Sequence, residues 1–179
     1  GKIAINPSSG ISTLSAGRVL YGSSNDGVTA TISGSGFAVQ KTTDSTGVGL
    51  TFTRGGSGYK DASAFAQTYA ITGKGTGLTI KWQVDSSGAI YSHVGCGDSG
   101  RGYNVGDVVG IVTDSNGAGG QGQGAELTVT DVATGVNNML FLENIQGSSA
   151  SGSFNSGGAI RYGSATEGIK TLLNRTYSG

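Results

Sequence analysis

The sequence predicts an all-β fold: an antiparallel β-sandwich or barrel-like repeat with Gly-rich turns and at most one short C-terminal helix. Three observations lead there. Apolar and polar residues alternate with period two in several short runs, the spacing that turns one face of a pleated strand to a core. One turn sequence, Asp-Ser-x-Gly, recurs between such runs. Glycine supplies 35 of the 179 residues and proline one, Pro7. Because the glycines punctuate patterned apolar runs and keep no Gly-X-Y period, they read as turns and not as a linker or collagen repeat.

Taken along the chain, the first strand is Val28-Ala30-Ile32. Val48-Leu50-Phe52 follows, with Thr51 and Thr53 facing outward. The clearest strand runs from Leu78 to Val84, where Leu78, Ile80, Trp82 and Val84 alternate with Thr79, Lys81 and Gln83. Val108 to Val112 is continuously apolar except for Gly110, which predicts a strand covered on both faces. Leu127 and Val129 alternate with Thr128 and Thr130; threonine suits the outer face because β-branched side chains fit a pleated surface. Met139-Leu140-Phe141-Leu142 is compatible with strand or helix.

The connections carry their own chemistry. Asp44 to Gly47, Asp85 to Gly88 and Asp114 to Gly117 all read D-S-x-G, and Asp26-Gly27 offers a further tight turn. The Asp carboxylate can accept backbone N–H bonds two residues on, and the Gly supplies a positive φ. Helix signals are few. Ser164-Ala165-Thr166-Glu167 has the capping-box form, with Ile169, Leu172 and Leu173 at helical spacing, which predicts a short helix near 165–174. Gly168 weakens it by roughly 1 kcal/mol relative to Ala. The Ala-rich stretch Asp61 to Gln67 could add a single helical turn.

A longer repeat lies over these elements. Gly56-Ser57-Gly58-Tyr59 and Gly100-Arg101-Gly102-Tyr103 share a G-x-G-Y form 44 residues apart. Each is followed by a glycine cluster and a strand: Gly73-Lys74-Gly75-Thr76-Gly77 before Leu78, and Gly120-Gln121-Gly122-Gln123-Gly124 before Leu127. Gly34-Ser35-Gly36-Phe37 is a degenerate third copy. The expected organisation is an N-terminal β segment over 1–53 and a main β domain over 54–179 that contains the repeat.

The hydrophobic fraction of 35% is low and the chain has one Trp and one Met, so the core is thin. A thin core often completes its burial against another subunit. Lys plus Arg number 11 and Asp plus Glu number 11, and there is no basic run, so nucleic acid is not an expected partner. No apolar stretch approaches the ~18 residues of a membrane-spanning helix, and Gly1 to Pro7 lack the apolar core of a secretory signal. The lone Cys96 admits no intrachain disulfide.

Gly55-Gly56-Ser57-Gly58-Tyr59, the segment Gly73 to Ile80, and Gly102-Tyr103-Asn104-Val105-Gly106-Asp107-Val108-Val109 resemble the Gly-rich GSGY-type β-repeats of tailed-bacteriophage virion proteins, notably cyanophage tail, baseplate and decoration proteins. The resemblance spans about residues 55–132. It departs at Lys60 to Tyr69, where an Ala-rich insertion replaces the usual short Pro-containing segment. It implies a structural role in the virion, after assembly in the host cytoplasm, with other virion proteins as partners and no catalytic residues or cofactor.

Other chemistry weighs less. His93 and Cys96 lie three apart, but no further Cys or His exists to complete a structural zinc site. Gly95 to Gly100 and Gly117 to Gly122 fit G-x-G-x-x-G without the strand-to-helix context of a dinucleotide site. Of the 11 carboxylates that could supply a glycosidase pair, Asp44, Asp85 and Asp114 already have a role in turns, and Asp107 reads as the start of a strand or part of a turn. The expectation is therefore a non-enzymatic virion structural protein, a homo-oligomer without cofactor or metal, with Trp82, Tyr59, Tyr103 and Phe141 as core or interface anchors. The alternative is a glycan-binding or adhesive surface module, in which Tyr21, Tyr91, Tyr162 and Tyr177 stack on sugars of a host surface.

Overall fold

The computed structural model describes residues 2–5, 16–21, 29–41, 48–113, 121–133, 139–146, 160–164, 168–172 and 175–178. The protein is all-β: every element is a strand in an antiparallel sheet, and no helix occurs among the described residues. In chain order the strands begin with β1 (Lys2–Ile5), β2 (Val19–Tyr21), β3 (Thr29–Gly36) and β4 (Leu50–Ser57). β5 (Ala66–Ala70), β6 (Thr76–Val84), β7 (Ile90–Arg101), β8 (Val108–Ile111) and β9 (Gln123–Val129) follow. The last four are β10 (Met139–Gln146), β11 (Ile160–Ser164), β12 (Gly168–Leu172) and β13 (Arg175–Ser178).

The chain forms two compact units, Gly1–Gly36 with Gly135–Gly179, and Phe37–Thr134. The boundary expected at 53/54 falls inside β4, because Leu50 to Ser57 is one continuous partner of β9. The discontinuous unit is a sheet in the order β12-β11-β2-β3-β10-β1-β13. Met139 to Leu142 resolves as strand: β10 lies between β1 and β3, and all four of these side chains are buried.

Over 168–172 the helix expected near 165–174 is replaced by β12, which pairs with β11 from Ser164↔Gly168 to Ile160↔Leu172; residues 165–167 and 173–174 lie outside the described residues. Gly168 is a poor helix former, Ile169 and Thr171 favour a pleated surface, and the hairpin supplies the backbone bonds a helix would have made. The Ala-rich stretch at 61–67 is not helical either. Ala62 N–H donates to Trp82 O (3.0 Å), Asp61 Oδ1 accepts from Val84 N–H (2.8 Å), and Ala66 and Gln67 already belong to β5.

The continuous unit is a six-stranded sheet in the order β4-β9-β8-β5-β6-β7, curled as a half-barrel. Its first and last strands approach: a β-carbon added at Gly55 would lie 2.6 Å from Ile90 O, and Tyr59 N–H donates to Gly88 O (3.0 Å). Residues 37–41 are bonded on one side to β7 and beyond, through Val39 N–H to Ser99 O and a reciprocal pair between Phe37 and Tyr103. On the other side they meet the chain after β9, where Ala133 N–H donates to Ala38 O. Leu78, Ile80, Trp82, Leu127 and Val129 are all fully buried inside the curl, as their alternation predicts.

Of the D-S-x-G turns, Asp85 to Gly88 joins β6 to β7. Asp85 Oδ1 accepts from Ser87 N–H (2.8 Å), Ser87 Oγ (2.6 Å) and Ala89 N–H (3.1 Å), and Gly88 takes φ 78°. Asp26-Gly27, Asp44–Gly47 and Asp114–Gly117 lie outside the described residues.

Candidate functional site

The strand order of the curled sheet reads the same from either end when β4, β5 and β6 are exchanged with β7, β8 and β9. Two copies of one three-strand unit are therefore related by a pseudo-two-fold axis. The axis passes at the Thr68↔Ile111 pair of β5 and β8; the flanking pair Tyr69↔Gly110 has its counterpart in the bond from Val112 N–H to Gln67 O (2.9 Å). Likewise Ala62 N–H to Trp82 O (3.0 Å) matches Gly106 N–H to Val129 O (2.8 Å).

The glycine motifs lock the copies together by exchange. Gly56 and Gly58 have φ 66° and 74°, Gly100 and Gly102 have 61° and 80°, so both G-x-G-Y turns need the left-handed region that glycine enters freely. Each turn delivers its tyrosine onto a glycine of the other copy: Tyr59 lies over Gly122, and Tyr103 over Gly75. The ladders follow the same exchange, Gly55↔Ala125 and Ser57↔Gln123 on one side, Ser99↔Leu78 and Arg101↔Thr76 on the other. Gly34-Ser35-Gly36-Phe37 does not join this scheme; it ends β3 and Gly34 has no positive φ.

Three of the four expected anchors thus share one core. Tyr59 and Trp82 meet edge to face, centroids 5.9 Å apart at 83°. Trp82 Nε1–H donates to Lys60 O (2.9 Å), and Tyr59 Oη accepts from Ala125 N–H (3.2 Å). Tyr103 Oη is buried without a hydrogen-bond partner. Burial pushes the phenol pKa of both tyrosines up. Thr68 and the Leu78 backbone act against that shift at Tyr103, and Thr68 Oγ1 itself donates to Leu78 O (3.0 Å). Phe141 is buried in β10 of the other unit, 3.7 Å from where a β-carbon on Gly34 would stand. All four residues are buried in this chain.

His93 and Cys96 stand opposite Trp82 and Ile80 on β7. His93 lies beside Phe52, its Nδ1 buried and unpartnered, while the buried Cys96 Sγ donates to Asp98 O (3.2 Å). Gly95 to Gly100 is strand throughout, which leaves no helix N-terminus for a pyrophosphate.

The outer face holds aromatics that sequence reasoning missed. Tyr69, 51% exposed, covers Gly110, and Phe65, 47% exposed, covers Gly97 with Lys81 Nζ 4.9 Å from its centroid. Each ring occupies the side-chain space of a glycine on another strand, which is how β8 comes to be covered on both faces at Gly110. The available signal was the alternation itself: Ala66 and Thr68 face inward, so Tyr69 must face out.

Beside Tyr69 the β8–β9 ladder ends at Gly110↔Glu126. Beyond that pair the strands part and leave an open pocket of about 320 Å³. Tyr59, Ile111 and Val112 contribute apolar surface to its lining, and Thr113 and Gln123 supply polar groups.

No protein-family model, curated protein or solved structure matches this chain.

Proposed function

We propose that this chain is a non-enzymatic structural component of a bacteriophage virion, a capsid decoration protein or a part of the tail, baseplate or fibre. It acts through contacts between its own copies and with other virion proteins. The observation that carries this reading is the reciprocal seating of Tyr59 on Gly122 and Tyr103 on Gly75. The motif behind the resemblance to virion proteins is spent on rigidity: its glycines shape the turns and its rings bind one copy of the unit to the other. A module braced in this way suits a part whose work is mechanical. Val94 on the edge strand β7 and Val105 beyond it are apolar and 44% and 62% exposed, and their burial between copies would favour assembly.

The test is the native mass of the full chain across a concentration series, by light scattering behind a sizing column. A defined multimer or regular particles are expected. A monomer at every concentration overturns self-assembly as the mode of action.

A further inference from the structure

At the pocket beside Tyr69 the two copies of the unit differ. In one copy the β5–β6 ladder ends at Gln67↔Thr79, and the next residue, Thr68, closes the gap by donating its Oγ1 proton to Leu78 O (3.0 Å). In the other copy the ladder β8–β9 ends at the matching pair Gly110↔Glu126, but Ile111 stands in the place of Thr68. Isoleucine has no hydroxyl to bridge to β9, and the fork there stays open.

The fork's lining selects a ligand class. Among the described residues that line it no side chain is charged at neutral pH, so these residues offer no counter-charge to offset the desolvation of an ionic ligand. Its volume is at the small end of ligand sites. Tyr69 is held against Gly110 and remains half exposed, which leaves a pre-positioned aromatic surface with little rotamer freedom left to lose. Thr113 spends its hydroxyl proton on Gly122 O (3.2 Å), so toward a ligand it accepts; the exposed Gln123 amide both donates and accepts. A ligand that fits is uncharged, has a face of C–H groups to lie on a ring, and carries several hydroxyls at its edge. A pyranose ring has all three properties.

We propose that the fork between β8 and β9 is a binding site for a neutral saccharide, stacked on Tyr69 and hydrogen-bonded to Thr113 and Gln123. This goes beyond the assembly reading and stands independently of it.

The experiment is an array of neutral and acidic oligosaccharides probed with the full chain, followed by calorimetric titration of the best-bound neutral oligosaccharide. Tyr69→Ala removes the platform, Ile111→Thr supplies the hydroxyl that closes the other fork, and Tyr91→Ala removes an exposed tyrosine elsewhere. Trp82 emission and thermal midpoint check that each variant is folded. We expect neutral saccharides to bind, Tyr69→Ala and Ile111→Thr to weaken them by about tenfold or more, and Tyr91→Ala to leave affinity within about twofold. Silence across the neutral saccharides, binding confined to acidic ones, or unchanged affinity in the folded Tyr69→Ala or Ile111→Thr variant overturns the proposal.

Discussion

Tyr103 lies over Gly75, its ring filling the space that a β-carbon at position 75 would need, and Tyr59 stands in the same relation to Gly122. Each ring is thereby fixed by a residue of the opposite copy. Gly75→Ala and Gly122→Ala must push a buried ring off its seat. Each is expected to cost about 1–3 kcal/mol by overpacking, read as a fall in the denaturant midpoint. Gly34→Ala, whose added carbon would sit 3.7 Å from Phe141, should change stability by less than about 1 kcal/mol. Equal midpoints for all three variants would remove the seating argument.

The two tyrosines should answer differently to loss of the hydroxyl. Tyr59→Phe leaves Ala125 N–H without the acceptor it has at 3.2 Å, at an expected cost of about 1–3 kcal/mol. Tyr103→Phe removes a buried oxygen that makes no bond as well formed as that of Tyr59, and should cost less. Both phenols have folded-state pKa values above their ordinary ones, so their contribution is complete below the ordinary tyrosine pKa and lost as pH rises through the folded value. Phenolate absorbance should therefore rise late and together with alkaline unfolding. A Tyr103→Phe variant less stable than Tyr59→Phe would contradict the geometry.

Much of this fold is legible in the sequence where one strand's own pattern decides it. Leu78, Ile80 and Trp82 alternate because a single face of β6 meets the core, and Asp85 caps its turn with bonds that reach at most four residues. The repeat is legible too, but not its exchange. In the sequence Tyr59 precedes the glycine cluster at 73–77, and nothing local says that it packs on Gly122. Strand pairing makes that choice over long separations, where loop closure and sheet curl outweigh proximity. The same competition explains β12: a capping-box signal at Ser164–Glu167 is worth little against five paired residues of a hairpin. The fork was invisible because the contrast between Ile111 and Thr68 beside it has meaning only once the axis relates them.

Asp85 is held below the ordinary carboxylate pKa, first by the Ser87 hydroxyl and then by the backbone N–H groups of Ala89 and Ser87. Its folded value is depressed, so its contribution is present above the unfolded pKa and lost as pH falls through the folded one. Asp85→Ala should lower the denaturant midpoint at neutral pH, and the gap from the wild type should close in acid. A gap that persists unchanged into strong acid would show that the carboxylate charge is not what matters.

Cys96 is buried, and burial raises its thiol pKa above the ordinary value, so little reactive thiolate forms at neutral pH. Alkylation by iodoacetamide should be slow in the native protein and fast in denaturant. A native rate equal to the denatured one would mean that β7 opens readily at Cys96.

The continuous unit should fold without the rest of the chain. Its core cluster, from Val39 and Leu50 through Trp82 and Tyr103 to Val129, is drawn wholly from residues 37–134, as are all six strands of its sheet. The other unit needs two distant stretches of sequence, Gly1–Gly36 and Gly135–Gly179. A fragment of residues 37–134 is therefore expected to unfold cooperatively, with the emission of Trp82, the chain's one tryptophan, blue-shifted as in the intact protein. Both copies of the G-x-G-Y unit are retained in it, so the exchange of Tyr59 and Tyr103 is complete. Cutting the fragment to one copy, residues 37–84, should abolish folding of the monomer, since Tyr59 would lose Gly122 and β4 would lose β9. A folded monomer from a single copy would show that the exchange is dispensable; an unfolded 37–134 fragment would show that its core is not sufficient.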